Sequence, residues 1–390
     1  MKEVVIVSAA RTAMGSFNGA LSTVNATTLG ATVIKEVVER AGIDKNLVEE
    51  VYMGMVLPAA VGQAPARQAA IFAGLSNHVT CTTINKVCGS GMKTVMLAAA
   101  QIKLGEIDFA IAGGMENMSK VPHAMLGSRV GHKMGNINMT DLMVNDGLWD
   151  VYNDFHMGVA AEMCAEKYNI TREMQDEFAI DSYKKSIKAI EDGKFKEEIV
   201  PVEIKTRKGV TVFDTDEEPS RVRFDKIPTL RAVFKKGGTV TAANASSIND
   251  GASAVLLTSK EKAEELGLEI LATITDWTSY AHEPEWFTTA PSFAIKKVLD
   301  KASMKVEDID IFEINEAFAV VSLVTNQLVG IDPSKVDLNG GAVALGHPIG
   351  NSGTRILVTL LHEMKRKNLK TGLASLCIGG GEATAMILKR

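Results

Sequence analysis

Residues 82–94, Thr-Thr-Ile-Asn-Lys-Val-Cys88-Gly-Ser-Gly-Met-Lys-Thr94, decide how this chain reads. Residues 82–87 are rich in β-branched side chains, as a strand requires, and residues 92–104 carry apolar side chains at helical spacing. Strand, glycine-bearing turn and helix in succession are the unit of an α/β fold. Cys88 stands on the turn, where backbone N–H groups and the positive end of the following helix lower a thiol's pKa. Gly89 and Gly91 supply the bend and let a substrate approach the backbone. A buried structural cysteine is the plainer alternative, and the setting between strand, glycines and helix favours a nucleophile.

The same grammar extends outward. Residues 4–8 read as a buried strand, residues 28–41 as a helix closing on Gly42, and residues 109–112 as another strand. This predicts a doubly wound α/β unit with a parallel sheet. From about Met118 to about Gly238 the texture changes to Met- and Gly-rich loops, a charged helix at Arg172–Glu191, and a polar stretch holding Pro201, Pro219 and Pro228. That segment reads as an insertion covering a face of the sheet. Strands are predicted again at 254–257, 270–275 and 309–314, with a helix at 293–302. The second half repeats the first: His347-Pro-Ile-Gly-Asn-Ser-Gly353 opens a helix, and a strand ends in Cys377-Ile-Gly379-Gly-Gly381. Two pseudo-equivalent halves meeting face to face are expected.

Reactive residue types sit on these turns. His347 follows a Gly-lined loop and precedes Pro348 at a helix entry, and imidazole is a sensible general base toward a thiol. Cys377 meets three glycines at the mirror position of Cys88. With two thiols, one can hold an acyl group while the other moves a proton on carbon. Both the enolate and the tetrahedral intermediate need oxyanion stabilisation, for which the glycine N–H groups are plausible donors. Asn315, in Asn315-Glu-Ala-Phe318, could position a water.

Bulk properties narrow the class. At 390 residues the chain is long enough for two or three compact units. A net charge of -5 argues against a surface built for nucleic acid, so any anion must be handled locally. No stretch approaches the roughly 18 apolar residues of a membrane span, and residues 1–8 read as a first strand rather than a signal peptide. A cytoplasmic protein is expected, with no membrane partner. Cys81, Cys88, Cys164 and Cys377 form no C-x-x-C pair, which disfavours a disulfide scaffold and a thiolate zinc site.

Four blocks together resemble the thiolases: INKVCGSGMKT around Cys88, NEAF at Asn315, NGGAVALGHPIGNSG around His347, and LASLCIGGG around Cys377. VIVSAARTAMG, GQAPARQAA, GGMENMS, HMG and TVTAANASSINDGA extend the resemblance over essentially the whole chain. It implies an α/β fold of two pseudo-equivalent βαβαβαββ halves in a five-layered αβαβα core with an inserted loop domain. The halves would be residues 1–265, with the insertion at about 119–240, and residues 266–390. It further implies a reversible Claisen condensation of two acetyl-CoA to acetoacetyl-CoA and CoA through an acyl-cysteine. Cys88 would carry the acyl group, His347 would activate it, and Cys377 would move the proton on carbon. One oxyanion hole would come from His347 and an Asn315-bound water, the other from the N–H groups of Cys88 and Gly379.

PEWFTTAP and TAANAS place the likeness nearest the short-chain acetoacetyl-CoA thiolases of mitochondrial type. His156, Met157, Phe234, Ala317 and Phe318 match positions lining the acyl and pantetheine tunnel there. Arg221, Val222, Lys226 and Ser246 match adenine-nucleotide and pantetheine contacts, while Arg223 stands where relatives can carry an acid. Tyr183, Ala242, Ala243, Ala245 and Val343 match the potassium site of a subgroup, with Tyr183 and Ala242 also near the coenzyme A path. The resemblance implies no resident cofactor beyond that ion, and a homotetramer assembled through the loop at 122–135. Two other classes stay open: a non-catalytic acyl-CoA- or lipid-binding protein of the same fold, and a metal or redox protein using Cys88, His347 and Cys377. Thiols facing one site could also join reversibly on oxidation.

Overall fold

The computed structural model describes residues 1–207 and 209–390. Its first half runs β1 (Val4–Arg11), α1 (Ala26–Ala41), β2 (Glu50–Gly54), α2 (Pro65–Phe72), β3 (Thr80–Ile84), α3 (Ser90–Leu104) and β4 (Phe109–Asn117). An excursion carries α4 (Met157–Tyr168) and α5 (Arg172–Glu191) before β5 (Asn249–Ser259) closes the half. The second half runs β6 (Ala272–Ala281), α6 (Ala290–Ala302), β7 (Ile311–Ile314), α7 (Ala319–Val329), α8 (Ser352–Lys367), β8 (Thr371–Ile378) and β9 (Glu382–Lys389).

The strands join in the order β7-β8-β9-β6-β1-β5-β4-β2-β3, with a two-residue strand at Gly15–Ser16 beside β5. Val5 opposite Thr273 and Ile6 opposite Ala272 link the half-sheets. The repeat is exact in topology: β3-β2-β4-β5-β1 mirrors a sequence in which β7, β8, β9 and β6 follow a single parallel bridge from Val336 to Phe312. That bridge occupies the place that β3 holds in the first half.

The expected parallel sheet is corrected to a mixed one. β2 pairs in parallel with β3 and β4, and β7 with β8, but the remaining neighbours are antiparallel. The reason lies in the connection from β8 to β9, which is only Gly379-Gly380-Gly381; a parallel return needs a crossover of a dozen or more residues. Gly380 and Gly381 take φ of 90° and 82°, and a Cβ on Gly381 would lie 2.5 Å from the His282 carbonyl oxygen, so glycine is obligatory there.

Three cores alternate with the two half-sheets. Leu29, Val33 and Val37 of α1 pack on one outer face. Met92 and Val95 of α3 meet Ile356 and Leu360 of α8 between the sheets. Ile295 and Val298 of α6 cover the other outer face. Layers therefore run helix, sheet, helix, sheet, helix. The two central helices begin side by side: a Cβ on Gly91 would stand 2.7 Å from the Thr354 nitrogen, and one on Gly353 would stand 2.4 Å from the Met92 nitrogen. Only glycines allow that approach, and it brings the turns bearing Cys88 and His347 together. The excursion packs Ala160, Ala161 and Cys164 of α4 against Val320, Val321 and Val324 of α7.

Candidate active site

The nucleophile turn is shorter than its strand suggested: β3 ends at Ile84, and Asn85, Lys86 and Val87 belong to the bend. Val87 sits at φ 46°, a left-handed conformation rare for a β-branched residue. Ser90 holds it there, since Oγ accepts from the Lys86 N–H at 2.8 Å and donates to the Val87 carbonyl at 2.6 Å. Cys88, Cys377 and His347 open on one cavity of about 190 Å³, together with Gly379. Two sulfurs and one imidazole from distant parts of the chain thus face the same space.

Cys88 was expected to be acidified by its helix end. Burial dominates instead and pushes the thiol up to about 11, although the N–H groups of Gly379 and of Cys88 itself act on the sulfur in the opposite sense. Cys377, fully buried at the end of β8, is pushed well above the usual thiol range by burial and then by Cys88. His347 likewise does not titrate near neutrality: burial, with a lesser push from Arg355, takes it down to about 3. At rest all three groups are neutral, so the thiol needs a base at the moment of attack.

The geometry says which nitrogen serves. His347 Nδ1 lies 2.6 Å from Ser352 Oγ, and that hydroxyl donates to the Pro348 carbonyl at 3.0 Å. With the hydroxyl proton so committed, Nδ1 carries the ring proton and donates it to Ser352, leaving the Nε2 lone pair free. Nε2 is buried without a partner on the cavity side. The Asn315 amide approaches Nδ1 at 3.4 Å and keeps Oδ1 unpartnered, so it lies behind the ring and does not line the cavity.

Backbone anchors fix this ring. Asn249 Oδ1 accepts from the His347 N–H at 3.0 Å, and Asn249 Nδ2 donates to the Gly15 carbonyl. Glu116 accepts from Val56, Leu57 and Gly350 at 2.9, 3.2 and 2.9 Å, tying the His347 loop to the exit of β2. Burial pushes Glu116 up to about 7 despite these donors. Sequence reasoning assigned no role to Ser352, Asn249 or Glu116. They stand within the quoted blocks, but only their three-dimensional partners distinguish them from other polar residues there.

Of the substrate positions, His156, Met157, Phe234, Ser246, Ala317 and Phe318 line the cavity, as does Ala245. His156 stacks on Phe234 with centroids 4.7 Å apart, and Phe234 meets Phe318 edge-on at 6.3 Å. Leu148, Ile248 and Phe287 complete the apolar wall and were not foreseen. Tyr183, Arg221, Val222, Lys226, Ala242, Ala243 and Val343 lie outside it. Val222 packs beside Tyr183 and Val343. Arg221 pairs with Glu217 at 2.6 Å and Lys226 with Asp225 at 3.7 Å, both in solvent-facing positions.

A double-wound five-layer fold with two thiols, an imidazole and backbone N–H donors around one apolar cavity defines an acyltransferase that works through thioesters. The chain belongs to the thiolase family: the thiolase N-terminal domain matches residues 4–261 and the thiolase C-terminal domain residues 268–390. It is 55% identical to an acetyl-CoA acetyltransferase of Cupriavidus necator, with 100% of each chain covered. It is 52% identical to acetyl-CoA acetyltransferase 2 of Arabidopsis thaliana, covering 100% of this chain and 97% of that one. A probable acetyl-CoA acetyltransferase of Escherichia coli is 47% identical over 100% of both chains.

Proposed function

We propose that this thiolase joins two acetyl-CoA into acetoacetyl-CoA and CoA, and runs the reverse thiolysis with the same residues. The observation that carries the reading is the convergence of Cys88, Cys377 and the free Nε2 of His347 on one cavity. As the Cys88 sulfur attacks the acetyl carbonyl, its proton passes to His347 Nε2, and the departing CoA sulfur takes the proton of Cys377. The acetyl group now sits on Cys88, with Cys377 a thiolate and His347 an imidazolium. A buried thiolate of such high pKa is a strong base, which removal of a proton from the methyl carbon of a second acetyl-CoA requires. The resulting enolate attacks acetyl-Cys88, the carbon–carbon bond forms, and the Cys88 sulfur leaves and regains its proton from His347. Cys377 ends protonated, so the cycle closes.

The N–H groups of Gly379 and Cys88 suit the oxyanion that forms on acetyl-Cys88. The newly protonated Nε2 suits the enolate oxygen, and Asn315, set behind the ring, serves to position the imidazole rather than to hold a water in the cavity. Arg221, Val222, Lys226 and Ser246 are the proposed path of the nucleotide and pantetheine arm. A non-catalytic acyl-CoA-binding role is not favoured, because the full proton-transfer set is present. Replacing Cys377 by Ala separates the half-reactions: acetyl-CoA should still add one acetyl group to Cys88 by mass spectrometry while acetoacetyl-CoA formation disappears. Failure of Cys88 to label, or normal condensation, overturns the assignment.

For potassium, the carbonyls of Ala242, Ala243 and Ala245 accept no hydrogen bond among the described residues, and the Tyr183 hydroxyl lies in the field of Glu218 and Glu316. This donor set fits a large monovalent cation, and equal initial rates in potassium and sodium buffers would count against it. Exposed Leu126, Val130 and Met134 support assembly through the loop at 122–135, proposed as a homotetramer. No described helix is long and apolar enough to cross a membrane. A chemistry needing two reduced thiols suits the cytoplasm.

A further inference from the structure

A second cavity, of about 320 Å³, lies between α5, α7 and the segment 331–337 and shares no lining residue with the catalytic one. Two oxygens on its wall have no partner: Asp337 Oδ2, on a residue 2% exposed, and Asn326 Oδ1, on a residue 8% exposed. A buried acceptor left without a donor costs stability and calls for an occupant. The carboxyls around it are also held toward their protonated forms: burial raises Glu313, Glu316 and Asp337 above the usual carboxylate range, and Glu313 and Glu316 repel charge on Asp337, with Arg355 the buried cation, 3.4 Å from Glu313. Lys185 reaches the cavity but is held by Asp181 at 2.8 Å. Phe178, Leu323 and Ile331 add apolar side chains to the same lining.

Unmet acceptors beside carboxyls that lack a cation to keep them ionised call for a cation with N–H donors. The apolar side chains call for a short hydrocarbon body on that cation. Among the described residues no acidic, His or Cys trio converges as a divalent metal would require. We propose that this cavity is a regulatory site for a small organic ammonium ion, its head on Asp337 and Asn326 and its body against Leu323. Its reach into the catalytic centre is short. Asp337 Oδ1 accepts from the Ile314 N–H at 3.0 Å, directly before Asn315. Glu316 Oε2, on the same cavity, accepts from Ser182 Oγ at 2.7 Å and from the Val343 N–H at 3.0 Å, on the strand of loop that leads to His347. An occupant that pairs with these carboxyls therefore acts on both segments that place the ring.

The probe is n-butylammonium chloride, titrated calorimetrically into the full chain, with n-butanol and potassium chloride as controls. Saturable binding of n-butylammonium alone is expected, with kcat for thiolysis shifting along the same curve. Asp337→Asn should weaken that binding by about tenfold or more. Leu323→Trp, which fills the cavity from its apolar lining and leaves the carboxyls in place, should abolish it and serves if the Asp337 variant does not fold. Absent saturation, equal response to potassium chloride, unchanged affinity in Leu323→Trp, or a flat kcat at saturation each overturns the proposal. The calorimetric arm does not depend on which reaction the catalytic cavity performs.

Discussion

Lys86 and Glu382 form an ion pair across the two pseudo-equivalent halves. Lys86 stands two residues before Cys88, and Glu382 directly follows the three glycines whose first N–H acts on the Cys88 sulfur. Both side chains are partly exposed, at 21% and 35%, so the pair contributes little to stability, about 0–1 kcal/mol. Its effect lies in registering the nucleophile turn against the oxyanion donor. Lys86→Met and Glu382→Gln should each lower kcat by about threefold to tenfold with little change in melting temperature, and the double variant should be no worse than either single one. Additive losses in steady-state kinetics would show that the two side chains act separately.

Ser352→Ala removes the acceptor that fixes the His347 tautomer. Loss of such an orienting partner costs about 10–100-fold. Here the loss should fall on kcat, with KM for acetoacetyl-CoA nearly unchanged, because Ser352 is not on the cavity wall. Ser352→Thr, which keeps the hydroxyl, should recover most of the rate. An equal rise in KM would point to a collapsed cavity instead.

Legibility in the sequence followed local physics. Helix α1 and its left-handed Gly42 cap, and α5 over its full length, were readable because spacing and capping are encoded within a few residues. The mixed sheet was not, since strand direction is set by connection length, and the three glycines after Cys377 signal a close approach to the backbone more plainly than a tight antiparallel return. Strand β3 ends earlier than its composition predicts because Val87 is a strand former by type but is held in a left-handed bend by Ser90. Helices α4 and α7 pass through Ala-, Met- and Val-rich stretches with no marked polar face, and their pairing with each other explains why. At the site, Cys88, His347 and Cys377 were legible from the turns that bear them. Their ionisation was not, because burial outweighs the helix end.

Glu116 gives a pH signature. Its folded pKa of about 7 is above the ordinary carboxylate value of 4.5, so the folded state holds more protons than the unfolded one between those values. Stability contributed by Glu116 is then fully present below about 4.5 and is lost as pH rises through about 7. Glu116→Gln removes this dependence. The stability advantage of the parent over the variant, measured by urea unfolding, should be larger at pH 5 than at pH 8 by roughly 1–3 kcal/mol. An advantage growing toward pH 8 would mean that the three N–H donors outweigh burial.

His347 produces the opposite slope. Its folded pKa of about 3 lies below the ordinary 6.5, so the unfolded chain takes up a proton between those values while the folded chain does not. Stability falls as pH drops from 6.5 toward 3. His347→Asn should flatten that part of the profile. Nuclear magnetic resonance of the imidazole should show a neutral ring at pH 5 in the parent; a ring titrating near 6.5 would refute it.

Arg11 shares with Arg355 the rank of largest fully buried side chain among the described residues, and it is charged. Nε donates to Glu198 at 2.6 Å, and the two terminal nitrogens meet Asp216 at 2.7 and 2.8 Å. Glu198 and Asp216 are themselves 1% exposed, so the end of β1 is clamped to the excursion by a triad with no access to water. Arg11→Met strands two buried carboxylates, and breaking a buried pair from one side costs about 3–5 kcal/mol. The remaining carboxylates should then have folded pKa values above their unfolded ones, so the folded variant binds the more protons and its deficit shrinks as pH falls toward 5. Adding Glu198→Gln and Asp216→Asn to Arg11→Met should recover part of the loss at pH 8 and remove the pH dependence. A deficit that is the same at both pH values would assign the cost of Arg11→Met to lost packing against Phe195, whose ring lies 4.9 Å from the guanidinium, rather than to charge.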